Sequence, residues 1–299
     1  DRAYSATLRA EHVQRPQVSY AQNNFGRGVF GGTTIVLADM LGNHQLALSA
    51  AVNGRIDEAQ VFVGFQSLAN RFQYATGFQQ APIFFLQDQN QTYRDGVGTS
   101  SYALSRFIIR EGFFNGSYPL NRFARVELGG SLYSIERATQ YLSQAFTATQ
   151  STGYYVDSIV NRSTLTYINP FVAYVSDNTL FGMTGPIFGH RMRFEAGPTL
   201  GGAKWMHVAL DYRRYDAIVF NYLTFATRAQ VDLSMGKDEM EFPKYIGQPF
   251  YVRGYDHSAY GSTGCGTISG GGTACSATEL LGSRVAFANA ELRFPILRS

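Results

Sequence analysis

Period-two alternation of apolar and polar residues recurs along most of this chain. It is clearest between residues 203 and 234, where Val208 and Leu210 alternate with His207 and Asp211. Successive side chains of a strand point to opposite faces of its sheet, so the pattern predicts one apolar and one charged face. The same template predicts about eleven strands, at residues 26–38, 44–54, 58–67, 71–86, 99–116, 122–138, 160–175, 187–198, 203–215, 217–234 and 283–295.

The predicted connections between these strands differ in length. Short connections lie at residues 39–43, 68–70 and 176–178, and long ones at 87–98, 139–159 and 235–282. Short turns at one end of the strands and long loops at the other are typical of outer-membrane barrels. The alternation is imperfect, because the connections at 55–57 and 216 are short where strict alternation asks for a long loop.

Two architectures accommodate such strands. A soluble β-sandwich buries its apolar face, whereas a transmembrane barrel turns that face toward lipid. Charges of both signs share one parity, as Arg193 and Glu195 do, and such a face could either cross-link a lumen or be solvated. Sandwich strands usually have about five or six residues, and tilted spanning strands about nine to eleven. Several predicted strands are longer still, which favours an all-β, antiparallel up-and-down transmembrane β-barrel.

Composition excludes several other classes of protein. Of the 299 residues, 16% are charged and 14% are aromatic, and the net charge is +3. Abundant aromatic residues argue against disorder, and the near balance of 25 Lys+Arg with 22 Asp+Glu argues against a nucleic-acid partner. Apolar runs such as residues 81–86 are too short for a membrane-spanning helix, which needs about twenty apolar residues.

Signatures of catalysis and metal binding are absent from the sequence. There is no Gly-x-Ser-x-Gly, His-Glu-x-x-His or Gly-x-x-x-x-Gly-Lys segment. The five histidines are scattered without ligand spacing, at His12, His44, His190, His207 and His257. We therefore expect no enzymatic activity, no bound metal and no cofactor.

The two cysteines flank a short Gly/Ser/Thr-rich stretch. Cys265 and Cys275 enclose residues 266–274 within the longest predicted loop. An oxidising compartment would allow them to form a disulfide, and no second pair of metal ligands stands nearby. Closing so short a ring would stabilise the fold by about 3 kcal/mol in the chain-entropy model. We expect a disulfide.

Three segments carry a family resemblance. Residues 250–256 are Phe-Tyr-Val-Arg-Gly-Tyr-Asp, and the predicted last strand contains Glu291-Leu292-Arg293-Phe294-Pro295. Residues 30–46, Phe-Gly-Gly-Thr-Thr-Ile-Val-Leu-Ala-Asp-Met-Leu-Gly-Asn-His-Gln-Leu, form a predicted first hairpin. Taken in their order along the chain, the three segments resemble the Omp85 superfamily of outer-membrane barrels, also called the bacterial surface antigen (D15) family. The resemblance spans about residues 26 to 295 and is nearest the subgroup fused to a TolB-like propeller.

The resemblance implies a particular role for the long loop. In the family a Val/Ile-Arg-Gly-Phe/Tyr motif lies at the tip of a loop folded into the barrel lumen, which implies this place for Val252, Arg253, Gly254 and Tyr255 in loop 235–282. A guanidinium held partly out of water needs an acidic partner. In the family that acid comes from later strands, and Asp256 and Glu291 are the local candidates in this sequence.

The resemblance also implies a domain organisation. Barrels of the family have about sixteen strands, more than the eleven or twelve predicted here. We therefore expect residues 1–25 to lead in from a periplasmic part. Residues 26–299 are then expected to form a barrel whose closing strands lie beyond this sequence.

Function and partners follow from the resemblance as expectations. Family members in the bacterial outer membrane insert other outer-membrane proteins or translocate polypeptides, through a seam between first and last strands. That seam would here be formed on one side by the strand near Phe25–Ala38. The expected partners are outer-membrane lipid, client outer-membrane proteins, or subunits of a periplasmic or surface assembly. Alternatives are a non-transporting barrel that anchors such an assembly, a passive pore, and a barrel hydrolase, for which no catalytic constellation can be assembled.

Overall fold

A computed structural model shows an all-β chain. The structure describes residues 7–23, 26–147, 149–150, 155–182, 185–220, 222–246, 251, 266–267, 273–274 and 281–295. The only helical element in these ranges is a single 3-10 turn, η1, at Ile56–Glu58. No helix of the described part is long and apolar enough to cross a membrane.

Fourteen strands form one antiparallel sheet in which most strands pair with the strands next to them along the chain. Its hydrogen-bonded path runs β1-β3-β4-β5-β6-β7-β8-β9-β11-β12-β13-β18, with β2 paired to β3 and β10 to β11. The strands are β1 Arg9–Val13, β2 Gln17–Asn23, β3 Gly26–Ala38, β4 His44–Gly54, β5 Gln60–Ser67, β6 Gln73–Arg94, β7 Val97–Pro119, β8 Ala124–Phe146, β9 Tyr155–Asp177, β10 Leu180–Gly182, β11 Gly185–Gly201, β12 Trp205–Val219, β13 Leu223–Met235 and β18 Arg284–Arg293. The predicted up-and-down order is thereby confirmed.

Four two-residue strands lie between β13 and β18. Strand β14, Lys244–Tyr245, pairs with β17, Leu281–Gly282. Strand β15, Gly266–Thr267, pairs with β16, Thr273–Ala274. The long predicted connection 235–282 therefore contains two short ladders of its own.

All eleven strands predicted from alternation are present, and six of them are longer than predicted. Strands β6, β7, β8 and β9 each have 22 or 23 residues. The prediction of a long connection at 87–98 is wrong, because β6 and β7 remain paired as far as Arg94 and Val97. Asp95 and Gly96 close this hairpin with φ of 52° and 81°. An Asp-Gly pair with two positive φ angles is the favoured two-residue hairpin turn, and the polar residues before it lack the alternation that predicts a strand.

The edge of the sheet lies earlier in the chain than predicted. Strand β3, predicted as one side of a seam, is paired on both sides, with β4 and with β1 and β2. Residues 9–23, predicted as part of a lead-in, thus supply the first edge. The approach is close at Gly31, whose φ is +145° and where a Cβ would lie 1.8 Å from the Gln17 carbonyl oxygen. Glycine is therefore required at this position.

The chain divides into two compact units, which are described separately. Unit 1 comprises residues 1–117 and 129–169, and unit 2 comprises 118–128 and 170–299. The buried apolar side chains of unit 1 include Ile108, Ile135 and Leu142. Those of unit 2 include Ile187 and others at Ala173, Val175, Tyr215 and Val285.

In unit 1 the exposed parity changes along the strands. In β6 the even-numbered Phe78 is exposed, but further along the strand Ile83 and Phe85 are the exposed residues. In β8 Leu132 is exposed, whereas Gln140 at the same parity is buried. Arg106, an even-numbered residue of β7 in the same unit, contacts the η1 turn.

Candidate functional site: a charged sheet face and the loop that contacts it

One face of the sheet in unit 2 carries ion pairs along consecutive strands. In β11 and β12 the face consists of odd-numbered positions, including Arg193 and Asp211, and in β13 of even-numbered positions such as Arg228. In β18 it returns to odd-numbered positions, because Arg228 lies opposite Asn289 in the ladder. This parity is the one predicted from the sequence to carry the charges.

The carboxylates of this face bind arginines both along and across strands. Asp211 Oδ2 accepts from Arg213 Nη2 at 2.7 Å and from Arg228 Nη2 at 2.9 Å. Arg193 donates to Glu195 in its own strand and to Glu127 of β8. Partly buried pairs that share a carboxylate cross-link neighbouring strands more strongly than isolated surface pairs do.

Aromatic rings extend the contacts of these arginines. The guanidinium of Arg228 lies 5.1 Å from the centroid of Phe287, and that of Arg293 lies 5.5 Å from the centroid of Tyr215. Both distances are within the range of cation–π attraction. Arg228, Arg293 and Tyr215 also line a small polar cavity of about 70 Å³.

The connection after β13 folds back onto the charged face. Lys244 of β14 has its Nζ 3.2 Å from Asp232 Oδ1 and 2.6 Å from the Ser234 hydroxyl, both in β13. His207 Nδ1 lies 3.5 Å from the same Asp232 oxygen. Tyr251 packs edge-on against Phe287 with ring centroids 5.4 Å apart. Lys244 and Tyr251 of this connection therefore lie against the polar side of the sheet.

Glu239 holds the base of the same connection. Its carboxylate accepts from the Gly236 N–H at 3.0 Å and from the Ser283 hydroxyl at 3.1 Å, and Arg284 lies 3.6 Å away. The Gly236 N–H is the main cause that holds the pKa of Glu239 below its ordinary value. The two ends of the connection are thus tied together next to the β14–β17 ladder.

The opposite face of unit 2 is apolar and exposed. Phe194 is 46% exposed, Met206 42% and Leu292 60%, although each is a large apolar side chain within a strand. Further exposed members of this face are Leu128, Val172, Phe188 and Phe225. In unit 2 the charged face is therefore the one that Lys244 and Tyr251 contact. A soluble sandwich has the reverse arrangement, because its apolar face is the covered one.

The structure places part of the predicted motif set. Glu291 and Arg293 lie on the charged face, where Arg293 Nη2 donates to Glu291 Oε2 at 2.8 Å. Leu292 and Phe294 are exposed on the other side, and Pro295 follows the end of β18. The loop residues Val252, Arg253, Gly254, Tyr255 and Asp256 lie outside the described residues, as do Cys265 and Cys275. The expected partnership of Arg253 with Asp256 or Glu291 stays a prediction.

A buried ionic cluster in unit 1 was not predicted. Arg106 of β7, which is 2% exposed, donates from Nε to Glu58 Oε1 at 2.9 Å and from Nη1 to Glu136 Oε1 at 2.8 Å. Its Nη2 donates to Asp57 at 3.2 Å, and Arg55 binds the same carboxylate. The available signal was an acidic pair in the short connection at 55–59, together with an arginine inside an otherwise apolar stretch.

The η1 turn shifts the acidity of its own side chains. Hydrogen bonds from Arg55 hold the pKa of Asp57 below its ordinary value, whereas burial raises the pKa of Glu58. The described part of the chain contains no group of three or more His, Cys, Asp or Glu side chains that could hold a metal ion. The described site residues are therefore charged side chains that pair with one another and cross-link neighbouring strands or turns within each unit.

Comparison with known proteins adds no assignment. No protein-family model matches the chain, and no curated protein sequence matches it.

Proposed function

We propose that this chain is a β-barrel of the bacterial outer membrane and belongs with the Omp85-like assembly and translocation factors. The observation that carries the membrane part of the proposal is the exposed apolar face of unit 2, with Leu292 and Phe294 both more than half exposed. In water such a continuous apolar surface is unfavourable, whereas lipid tails solvate it.

The charged face supports the same proposal. A barrel turns its polar parity toward the lumen, where charges must be paired or hydrated. The shared carboxylate of Asp211 and the bonds of Arg193 to two glutamates meet this requirement. We infer that these residues line the lumen.

The folded-back connection supports the family assignment. Lys244 and Tyr251 contact the charged face, so the segment that leads to the Val252–Tyr255 motif starts on the side expected for a lumenal loop. The Glu291–Pro295 motif begins on β18 and ends two residues after it, in the order that the resemblance requires. By this resemblance the chain would assist insertion or translocation of client polypeptides, with the sheet edge at β1 and β2 available for strand pairing.

An anchoring barrel without transport activity is the second candidate. It is favoured by the same loop contacts, since a loop tied to the wall through Lys244–Asp232 and Glu239–Arg284 would obstruct a lumen. A passive pore would require that loop to leave the charged face.

Membrane insertion is tested first. The purified chain should need detergent or lipid to stay in solution and should float with liposomes in a density gradient. A monodisperse chain that is soluble without detergent would contradict the proposal.

Activity separates the candidates. An insertase should accelerate the folding of a second barrel protein in proteoliposomes, and Arg253→Ala should reduce that acceleration. An anchor should neither accelerate folding nor conduct ions, and it should co-purify with fixed partners. A pore should conduct ions across planar bilayers, with a conductance that rises in Lys244→Ala if the loop obstructs it.

A further inference from the structure

A second cavity, separate from the charged face, lies within unit 1. Its volume is about 160 Å³, and it is formed by β4, β5, β6, β7, β8 and the η1 turn. The polar side chains that line it include Glu58 and Gln140, and the apolar ones include Phe84, Leu104 and Leu142. Neither the family resemblance nor the proposed function assigns any role to this cavity.

Gln140 is the unusual member of the lining. Its side chain is 97% buried (3% exposed), and its Oε1 atom has no hydrogen-bond partner among the described residues. A buried amide oxygen without a partner is unfavourable in a folded protein, and such atoms are rare. Less than 1 Å² of the Oε1 surface is accessible, so the amide must rotate about its last side-chain bond before a molecule in the cavity can donate the missing hydrogen bond.

Glu58 offers a second acceptor beside the same space. Both of its arginine contacts use Oε1, with Arg106 Nε at 2.9 Å and Arg55 Nε at 3.6 Å. Within the described ranges no hydrogen bond involves its Oε2 atom. Two acceptors therefore line the cavity, and its other walls are the polar side chains of Asn53 and Gln60 and the apolar ones of Pro82, Phe84, Leu104 and Leu142.

The charges around the cavity already balance. Three acids, Asp57, Glu58 and Glu136, are matched by Arg55, Arg106 and Arg110, each within 4 Å of at least one of them. A charged guest would lose its hydration without gaining an unpaired counter-ion. A neutral molecule is the better match.

The size and the lining of the cavity narrow the chemical class of the ligand further. An apolar cavity of about 150 Å³ accommodates a single benzene ring. Small-molecule sites typically combine apolar walls with a few polar groups that orient the ligand. We propose that this cavity is a binding site for a small neutral alcohol or phenol, whose apolar body packs on Phe84, Leu104 and Leu142 and whose hydroxyl donates to Gln140 Oε1.

The test uses the full chain in detergent micelles and two matched probes. 4-Fluorophenol carries the hydroxyl donor and fluorobenzene lacks it, and ¹⁹F NMR titration reports the binding of each. We expect saturable binding of 4-fluorophenol, weakened at least tenfold in Gln140→Leu. The same variant should bind fluorobenzene as well as the native chain does, because the substitution removes an acceptor and keeps the volume.

Three further variants complete the test. Gln140→Met repeats the loss of the acceptor with a more flexible side chain, should the leucine variant fail to fold. Leu104→Phe reduces the cavity volume and should weaken both probes. Tyr141→Phe changes the neighbouring exposed residue and should leave both affinities unchanged.

The outcomes are distinct from those of the membrane assays. A non-saturable shift that is equal in all variants means that the probes dissolve only in detergent, and it would overturn the proposal. Equal affinity for 4-fluorophenol in the native chain and in both Gln140 variants would also overturn it. Neither result bears on the insertion or anchoring activity, which is measured without these probes.

Discussion

Arg106 and Glu58 join the middle of β7 to the turn after β4, with Nε and Oε1 2.9 Å apart and both side chains buried. Removing one partner of a buried ion pair leaves the other without compensation, at a cost of about 3–5 kcal/mol. Arg106→Met should therefore lower the free energy of unfolding by about that amount. Urea unfolding in micelles, followed by the fluorescence of the single tryptophan Trp205, measures it.

The control for this substitution is Arg94→Met, at the turn of the same β6–β7 hairpin. Arg94 is 93% exposed and pairs with an equally exposed Asp95. Exposed pairs contribute about 0–1 kcal/mol, so the control variant should unfold close to the native midpoint. Equal effects of the two substitutions would show that the buried pair is not special.

Asp57 should give the fold a dependence on acid pH. Its pKa is lowered below the ordinary 3.8, first by the hydrogen bond from Arg55, so the folded chain binds a proton more weakly than the unfolded chain. Its stabilising contribution is therefore complete above the ordinary pKa and is lost as pH falls through the lowered value.

Asp57→Asn tests this expectation. At pH 7 the variant should be less stable than the native chain, by no more than about 1 kcal/mol because Asp57 is half exposed. The difference should shrink as the pH falls below about 4. Asp95→Asn is the matched exposed control and should show no such trend.

Gln140→Leu should stabilise the chain when no ligand is present. Replacing a buried amide that lacks a partner with an apolar side chain of similar size relieves a cost of about 1–3 kcal/mol. An increase in the urea midpoint is the expected result. A decrease would indicate that the amide is satisfied in solution, for example by bound water.

The cysteine prediction is tested by mass. The native chain should show no alkylation of Cys265 or Cys275 until it is reduced. The ladder between them pairs Gly266 with Ala274, the residues next to both cysteines. Reduction should lower the free energy of unfolding by up to about 3 kcal/mol if the loop is folded in the same transition. Alkylation of both thiols before reduction would contradict the prediction.

The assignment of faces is tested by placing the same residue on each side of β18. Leu292→Glu puts a carboxylate on the apolar face and should reduce the fraction folded into liposomes, at a cost of about 1–2 kcal/mol. Asn289→Glu puts it on the charged face, opposite Arg228, and should fold like the native chain. Heat-modifiable mobility on gels measures both.

Alternation predicted the strands well where one face is uniformly apolar. In β12 and β13 the parity of Val208, Leu210 and Asp211 extends along the ladder as far as Ala217, where the register shifts. The sequence thus determines the faces of both strands, but the predicted turn at residue 216 is wrong, because β12 continues to residue 219. The charged face and its Glu291–Arg293 pair could be predicted for the same reason.

The features that alternation did not predict depend on contacts between segments that are distant along the chain. The outer parts of β6 and β7 are polar on both parities, and their pairing depends on the Asp95–Gly96 turn. Arg106 and Glu58 are 48 residues apart, and no local pattern indicates that they meet. Strands β1 and β2 are short and mixed in polarity, so their pairing follows from the accessible edge of β3.

That first edge has a consequence for aggregation. Residues 14–16, which include Pro16, separate β1 from β2, and Val13 lies opposite Ile35 while Gln17 lies opposite Gly32. Residues 14–16 thus lie opposite only residues 33 and 34 of β3, and Pro16 has no N–H to donate to a ladder. The edge is divided into runs of five and seven residues. Long regular edges recruit copies of the same chain into fibrils, and this interruption should protect the protein from such self-association.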